Sequence, residues 1–340
     1  HGLAKLAGRV DGFHASSLFE TRLARQILGP AGLVHVTTPG LRPGEFGEIC
    51  GLSNMVSFNS LAQWERYRDR VGGQTQCGLR VNPRLSLVPD ERYDPCRRHS
   101  KLGAPLGAVR ELMIHNRSHF DGISGLLVHT NCDSGELRDL YKTARHLDEQ
   151  LAPLLSQIRW INLGGGYLFH DPAKLGPLHD TIALFRSKYD LDVLFEPGAS
   201  IIRRAGSLVS SVVDLFESDG KTVAVLDASV NHLPEAFEFQ FAPDVAGDLE
   251  EGAYEYILAG ASCLAGDIFG EYVFNEPLAI GSRVVFLNVG AYSMVKANMF
   301  NGINLPSIYG RTGDGRYELK KRYSYEEFVM HCGGASNADL

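Results

Sequence analysis

Three short segments carry the residues best suited to chemistry. Gly164-Gly165-Gly166 closes the apolar run Trp160–Leu163, and Glu196-Pro197-Gly198 closes Val193–Phe195. Further along lies Ser262-Cys263-Leu264-Ala265-Gly266-Asp267. A glycine turn leaves backbone N–H groups free to hold a phosphate. A carboxylate fixed at a strand end can keep a heterocyclic nitrogen protonated by charge attraction. A cysteine with a nearby acid can move protons. Together these are parts of a site for pyridoxal phosphate, which needs an anchor for its phosphate and a counter-ion for its ring nitrogen.

Each segment also has a plainer reading. The triplet fits a flexible strand-to-helix turn. The GxGxxG spacing of a dinucleotide fingerprint is absent, because Phe169 stands where its last glycine would be. Glu196 could be a helix cap or a surface acid. His129, after Val128, is either a satisfied structural residue or a ring that stacks flat on the cofactor. Cys263 could be buried and inert, but its small neighbours suit close approach by a ligand or a second chain. Tyr292, in Gly290-Ala291-Tyr292, could give its hydroxyl to a phosphate or be a strand aromatic.

The elements that must position these residues follow a cycle. Short apolar runs at Leu33–Val36, Met55–Phe58, Gly78–Val81, Gly125–Val128, Trp160–Leu163 and Val193–Phe195 alternate with helix-like stretches such as Ser60–Arg70, Ser134–Arg159 and Leu178–Tyr189. Such alternation predicts a parallel sheet with helical crossovers. Asn59, Asn82, His129, Gly164 and Glu196 each follow a run, which places them on one edge. That edge is the C-terminal rim of a barrel or the equivalent side of an open doubly wound sheet. Repeated units without a reversal favour a (β/α)8 TIM-type barrel over residues 1–200. Residues 201–332 read as a β-rich domain supplying the Cys263 loop, with strands at Ser207–Leu215, Thr222–Asp227, Tyr254–Ala259 and Ser282–Asn288. Residues 333–340 read as a loose tail.

Composition narrows the function. The 340 residues are 44% hydrophobic, enough for a sizeable core, and no apolar run is long enough to span a membrane. A net charge of −7 argues against a nucleic-acid partner and suits a cationic substrate. The six cysteines show no CxxC spacing, so no metal site is expected, and they read as reduced thiols of a cytoplasmic protein.

Taken in order, these residues resemble a known family. Ser16-Ser17-Leu18-Phe19-Glu20, Asn82-Pro83, Ser100-Lys101-Leu102-Gly103, His129-Thr130-Asn131-Cys132, the glycine triplet, Glu196-Pro197-Gly198, the 262–267 segment, Gly290-Ala291-Tyr292 and Phe300-Asn301-Gly302 run along almost the whole chain. The set is similar to the carboxynorspermidine (carboxyspermidine) decarboxylases, in the alanine racemase-like, fold type III class of pyridoxal phosphate decarboxylases. The resemblance implies a barrel followed by a β-domain, in a homodimer whose active sites borrow residues across the interface. It implies that Glu196 faces the pyridine nitrogen, that His129 lies near the ring, and that Gly165, Gly166 and Tyr292 hold the phosphate. It further implies that Cys263 arrives from the partner subunit to protonate the carbon, and that Asp267 meets a substrate ammonium.

Within the class, diaminopimelate decarboxylases carry a Glu after the cysteine, and ornithine-type enzymes an Asp. Here Leu264 stands in that place. Asp267 and Glu271 suit a longer, polyamine-like substrate, and Asp227 and His232 fit the same substrate-side role. The family also needs a lysine to bind the cofactor at the end of its first barrel strand. Lys5 falls within a helix pattern, His1–Val10, so the first strand and its lysine are expected upstream of His1. Two other readings stay open: a decarboxylase of another basic amino acid, such as diaminopimelate, or a non-catalytic relative that lacks the lysine.

Overall fold

The computed structural model describes residues 2–169 and 171–334. The chain divides between Ser200 and Ile201 into two compact units. In the first, α1 (Gly2–Leu6), β1 (Gly12–Ala15), α2 (Leu18–Leu28), β2 (Leu33–Thr38), α3 (Phe46–Leu52), β3 (Met55–Phe58), α4 (Leu61–Tyr67) and β4 (Gln76–Asn82) set the alternation. The two-residue β5 (Ala104–Pro105) pairs with β4. Then come α5 (Leu106–His115), β6 (Ile123–Leu127), α6 (Arg138–Leu155), β7 (Trp160–Asn162), α7 (Gly176–Tyr189) and β8 (Asp192–Leu194).

All pairings in this sheet are parallel, in the order β1-β2-β3-β4-β6-β7-β8. Strand order follows chain order without reversal. That is a barrel progression, because a doubly wound sheet reverses at its switch point. The strands at Leu33, Met55, Gln76, Ile123, Trp160 and Asp192 answer the six apolar runs. β1 is a seventh that the sequence did not reveal: Gly-Phe-His-Ala is short and has no β-branched residue. Lys5 lies exposed on α1.

Local chemistry explains the tight spacing. Ser17 caps α2 by accepting from the Glu20 N–H at 3.2 Å, and the Glu20 carboxylate accepts from the Ser16 N–H at 2.7 Å. Ser60 caps α4 in the same way from Gln63. β2, β3 and β4 are buried on both faces, as parallel strands covered by helices must be, with Val34, Val36, Val56, Phe58, Leu79 and Val81 on one face and the polar His35, Thr37, Ser57, Arg80 and Asn82 on the other. Helix α6 presents Leu140, Ala144, Leu147, Leu151 and Leu154 as one buried stripe. Glycine at 78 and 125 has a packing cause, because a Cβ at either place would strike the Trp160 ring that floors the sheet edge.

The second unit holds a five-stranded mixed sheet of β9 (Leu208–Ser218), β10 (Lys221–Leu226), β11 (Tyr254–Ala259), β12 (Ile268–Phe274) and β13 (Arg283–Phe286), in the order β12-β11-β10-β9-β13. Only β10 and β11 pair in parallel. The β9–β10 turn is Asp219-Gly220, with φ of 48° and 82°, the left-handed pair that a two-residue hairpin demands. A separate hairpin joins β14 (Ile308–Arg311) to β15 (Tyr317–Lys321). β12 escapes sequence reading because Gly270 interrupts it, at a φ of 151°. Residues 335–340 of the expected tail lie outside the described residues.

Candidate active site

Parallel strands end on one edge, and the first unit gathers a polar group there. Glu196 stands two residues past β8, held by its N–H donating to Gly164 O at 2.8 Å. Its Oε1 accepts from Asn162 Nδ2 at 2.6 Å, and its Oε2 lies 2.9 Å from His14 Nδ1. The same Asn162 Nδ2 lies 3.1 Å from His35 Nδ1, and His35 Nε2 lies 2.8 Å from Ser57 Oγ. Burial pushes the Glu196 carboxyl up, but the His14 ring with its hydrogen bond, then His35 and His129, bring it down to about 2. Burial, with His14 alongside, lowers His35 to about 3.

Beside this group the glycine triplet makes a tight turn, with φ of 68° at Gly164 and 84° at Gly166. Side chains are excluded: a Cβ would meet the His129 ring at 164, the Glu196 carbonyl at 165 and the Asn131 carbonyl at 166. The Gly165 N–H donates to His129 Nδ1 at 3.1 Å, and burial, then Arg80, lowers His129 to about 4. Arg80, on β4, is buried and its charge acts on both Glu196 and His129.

Glu196, His129, Gly165 and Gly166 are therefore brought together as expected neighbours. Four members of the site escaped the sequence reading: His14, His35, Arg80 and Asn162. Asn162, two residues before the triplet, carried the clearest signal, since it sits where the strand edge begins. His14, His35 and Glu196 also have ligand atoms within 4.8 Å of one another, close enough for a metal. His35 Nδ1, however, already faces an amide donor, so the group reads as a hydrogen-bonded network.

The second unit organises the cysteine loop. Cys263 is exposed, and its N–H donates to Asn301 Oδ1 at 3.2 Å. Asp267 requires a correction. It is 3% exposed, its Oδ1 accepts from the Val230 N–H at 2.6 Å, and its Oδ2 accepts from the Ser262 N–H at 2.9 Å and from the Ser262 hydroxyl. Those bonds use both oxygens, so Asp267 clips the loop together instead of presenting a carboxylate to a substrate. Gly260 is glycine because a Cβ there would strike that carboxylate.

The other expected residues are spread across this unit. Asp227, after β10, accepts from Ser210 Oγ at 2.5 Å and the Ser211 N–H at 2.7 Å. Glu271 is exposed on β12 and pairs with Lys221 at 2.6 Å. His232 is buried, with Nδ1 accepting from the Ser229 N–H at 3.2 Å and Nε2 lacking a partner among the described residues. Tyr292 is no strand aromatic: it is exposed, with a φ of 59°, and precedes the short helix at Ser293–Lys296.

Residues 36–290 match the family described as "Pyridoxal-dependent decarboxylase, C-terminal sheet domain". The chain belongs to the pyridoxal-dependent decarboxylases, carboxy-lyases whose cofactor is pyridoxal 5′-phosphate. It is 37% identical over 334 residues to a carboxyaminopropylagmatine decarboxylase from Synechocystis sp., covering 96% of this chain and 84% of the relative. It is 33% identical over 348 residues to a carboxynorspermidine/carboxyspermidine decarboxylase from Campylobacter jejuni, covering 97% and 87%. The crystal structure of carboxynorspermidine decarboxylase complexed with norspermidine from Campylobacter jejuni aligns with a TM-score of 0.85 at 28% identity, over 97% of this chain and 89% of that one. Diaminopimelate decarboxylase from Helicobacter pylori shares the fold, with a TM-score of 0.82 at 18% identity, over 97% of this chain and 86% of that one.

The first unit fits this cofactor. The triplet is a cradle that any side chain would fill, Glu196 is anionic at neutral pH, and the 2% exposed Asn131 keeps an amide nitrogen without a partner among the described residues.

Proposed function

We propose that this decarboxylase acts on carboxynorspermidine and carboxyspermidine, releasing norspermidine and spermidine. The observation that carries the reading is the ionised Glu196 held beside the glycine triplet. Support for the substrate comes from the Campylobacter jejuni relative, whose name states it, and from its norspermidine complex.

When bound, pyridoxal phosphate supplies an electron sink that stabilises the carbanion formed as CO2 leaves. Glu196 holds a proton on the ring nitrogen, because an anion at that atom favours the charged form. Gly165 and Gly166 form the phosphate cradle, in which the Gly166 N–H and the Tyr292 hydroxyl bind the phosphate, while the Gly164 and Gly165 N–H groups stay with Asn162 and His129. The His129 ring lies against the cofactor and orients it. Cys263 gives its proton to the substrate carbon. The net charge of −7 and the acids Asp227 and Glu271, with His232 near them in role, favour a substrate that carries several ammonium groups.

In this reading the protein is a cytoplasmic homodimer, and the exposed Cys263 serves the partner subunit's site. Its six free thiols agree with a reducing compartment. Among the described residues, no helix is long and apolar enough to cross a membrane.

A second reading has its own support. The Synechocystis relative is named for carboxyaminopropylagmatine, which ends in a guanidinium instead of an ammonium. Release of CO2 by the full-length protein separates the readings. Carboxynorspermidine or carboxyspermidine should turn over fastest. Preference for carboxyaminopropylagmatine would establish the second reading, and turnover of diaminopimelate alone would contradict both.

A further inference from the structure

Hydrogen-bond bookkeeping around Glu196 leaves one residue with an unassigned part. Asn162 Oδ1 accepts from the Gly164 N–H at 2.8 Å, so its Nδ2 must face Glu196 Oε1 and His35 Nδ1. That fixes the tautomer of His35: Nδ1 accepts, and Nε2–H donates to Ser57 Oγ. His35 therefore offers Glu196 no proton, and its Nδ1 stands off at 3.9 Å. His129 is fixed in the same sense, with Nδ1 accepting from the Gly165 N–H. Both rings are neutral above about pH 4. Of the charged and titratable groups facing Glu196, Arg80 acts by charge from β4, and His14 alone makes a direct contact, at 2.9 Å from Oε2.

His14 is placed to do this by strand register. It lies on β1 opposite His35 on β2, with ring centroids 5.1 Å apart and planes at 61°. Its Nε2 is shielded from solvent and has no partner among the described residues. The Nδ1–H to carboxylate bond is the ring's polar tie. A charge-assisted bond of this kind is roughly twice as strong as a neutral one and is directional.

We propose that His14 is a positioning residue for the decarboxylation, its Nδ1–H fixing the orientation and charge of Glu196 toward the cofactor's ring nitrogen. Deepening the reading above, it rests on Glu196 serving that nitrogen. Asn162, backed by His35 and Ser57, holds one carboxylate oxygen, and His14 holds the other. Without His14, Oε2 loses its donor in a buried place, and burial then favours the neutral acid.

The test uses the full-length protein freed of cofactor, with 13C-labelled glutamate, and follows the Glu196 carboxyl resonance against pH. In the native protein the carboxyl should stay ionised down to pH 4. His14→Phe, which keeps a ring of similar size without the donor, should raise the midpoint by about one unit or more. His14→Gln, which restores an N–H donor, should return it most of the way. In the cofactor-loaded enzyme, His14→Phe should lower kcat by about tenfold or more with little change in KM, and move the acid limb of the pH profile upward. A Phe variant with native carboxyl titration and acid limb would overturn the proposal. If the Phe variant does not fold, His14→Leu takes the same arms, and a native midpoint there is equally decisive. Glu196→Gln is the control for the underlying reading: unchanged turnover in that variant would defeat the ring-nitrogen role, whereas the cofactor-free titration judges His14 independently.

Discussion

Glu196, His129 and the glycine triplet can be read from sequence because each follows an apolar run, and the ends of parallel strands share an edge. The rest of the site hides inside strands. His14, His35 and Arg80 sit within β1, β2 and β4, where a single polar residue looks like ordinary alternation. The Asn162–His35 contact joins residues 127 apart, which no local pattern encodes. Asp267 shows the opposite error, since a carboxylate near a cysteine suggests chemistry while its burial and three donors show a structural clip. Asp267→Ala should therefore cost on the order of 1–3 kcal/mol in stability, since buried N–H groups lose their acceptor. It should also change the alkylation rate of the Cys263 thiol. A variant with native melting and native thiol reactivity would return Asp267 to the substrate pocket.

Among elements, the crossover pattern was legible because apolar runs and amphipathic stretches alternate with short loops, and α6 shows its buried stripe directly. Strand β1 was not, because its neighbour β2 defines it by pairing rather than by any propensity of Gly12–Ala15. In β12, Gly270 masks the strand. Burial of neutral rings at the strand edge has a consequence in acid. His35 and His129 have folded values of about 3 and 4, below their ordinary value near 6.5. Glu196, at about 2, lies below its own. In each case the unfolded chain binds protons first as pH falls, so stability is present above the unfolded value and is lost as pH drops through the window. The two histidines should weaken the first unit from about pH 6.5 down to about 4 for His129 and about 3 for His35, and Glu196 below about 4.5. Melting temperature should fall by on the order of 5 °C between pH 7 and 5. His35→Gln should flatten that decline, and an unchanged slope would contradict the assignment of His35 as a buried neutral ring.

At the scale of the whole molecule, the two units carry different parts of the proposed chemistry. Glu196, His129 and the glycine triplet lie in the first, and Tyr292 and the proposed proton donor Cys263, on an exposed loop, lie in the second. The family resemblance was legible because its motifs run in order along almost the entire chain, while composition alone gave only a mildly acidic protein with an ample core. If active sites are shared between subunits, Glu196→Ala and Cys263→Ala proteins should each be inactive, and mixing them should restore activity. Random exchange makes half of the dimers mixed, each with one intact site, so recovery should approach about one quarter of native activity. Mixed subunits that exchange yet stay inactive would place Cys263 and Glu196 of one chain in the same site.

The proposed chemistry centres on the anion at position 196 meeting the pyridine nitrogen. The direct measurement is the 15N resonance of ring-labelled pyridoxal phosphate bound to the full-length protein at neutral pH. A protonated-nitrogen shift in the native enzyme, moving to the unprotonated range in Glu196→Gln, is the predicted result. An unprotonated nitrogen in the native enzyme, or a shift unmoved by the substitution, would contradict it.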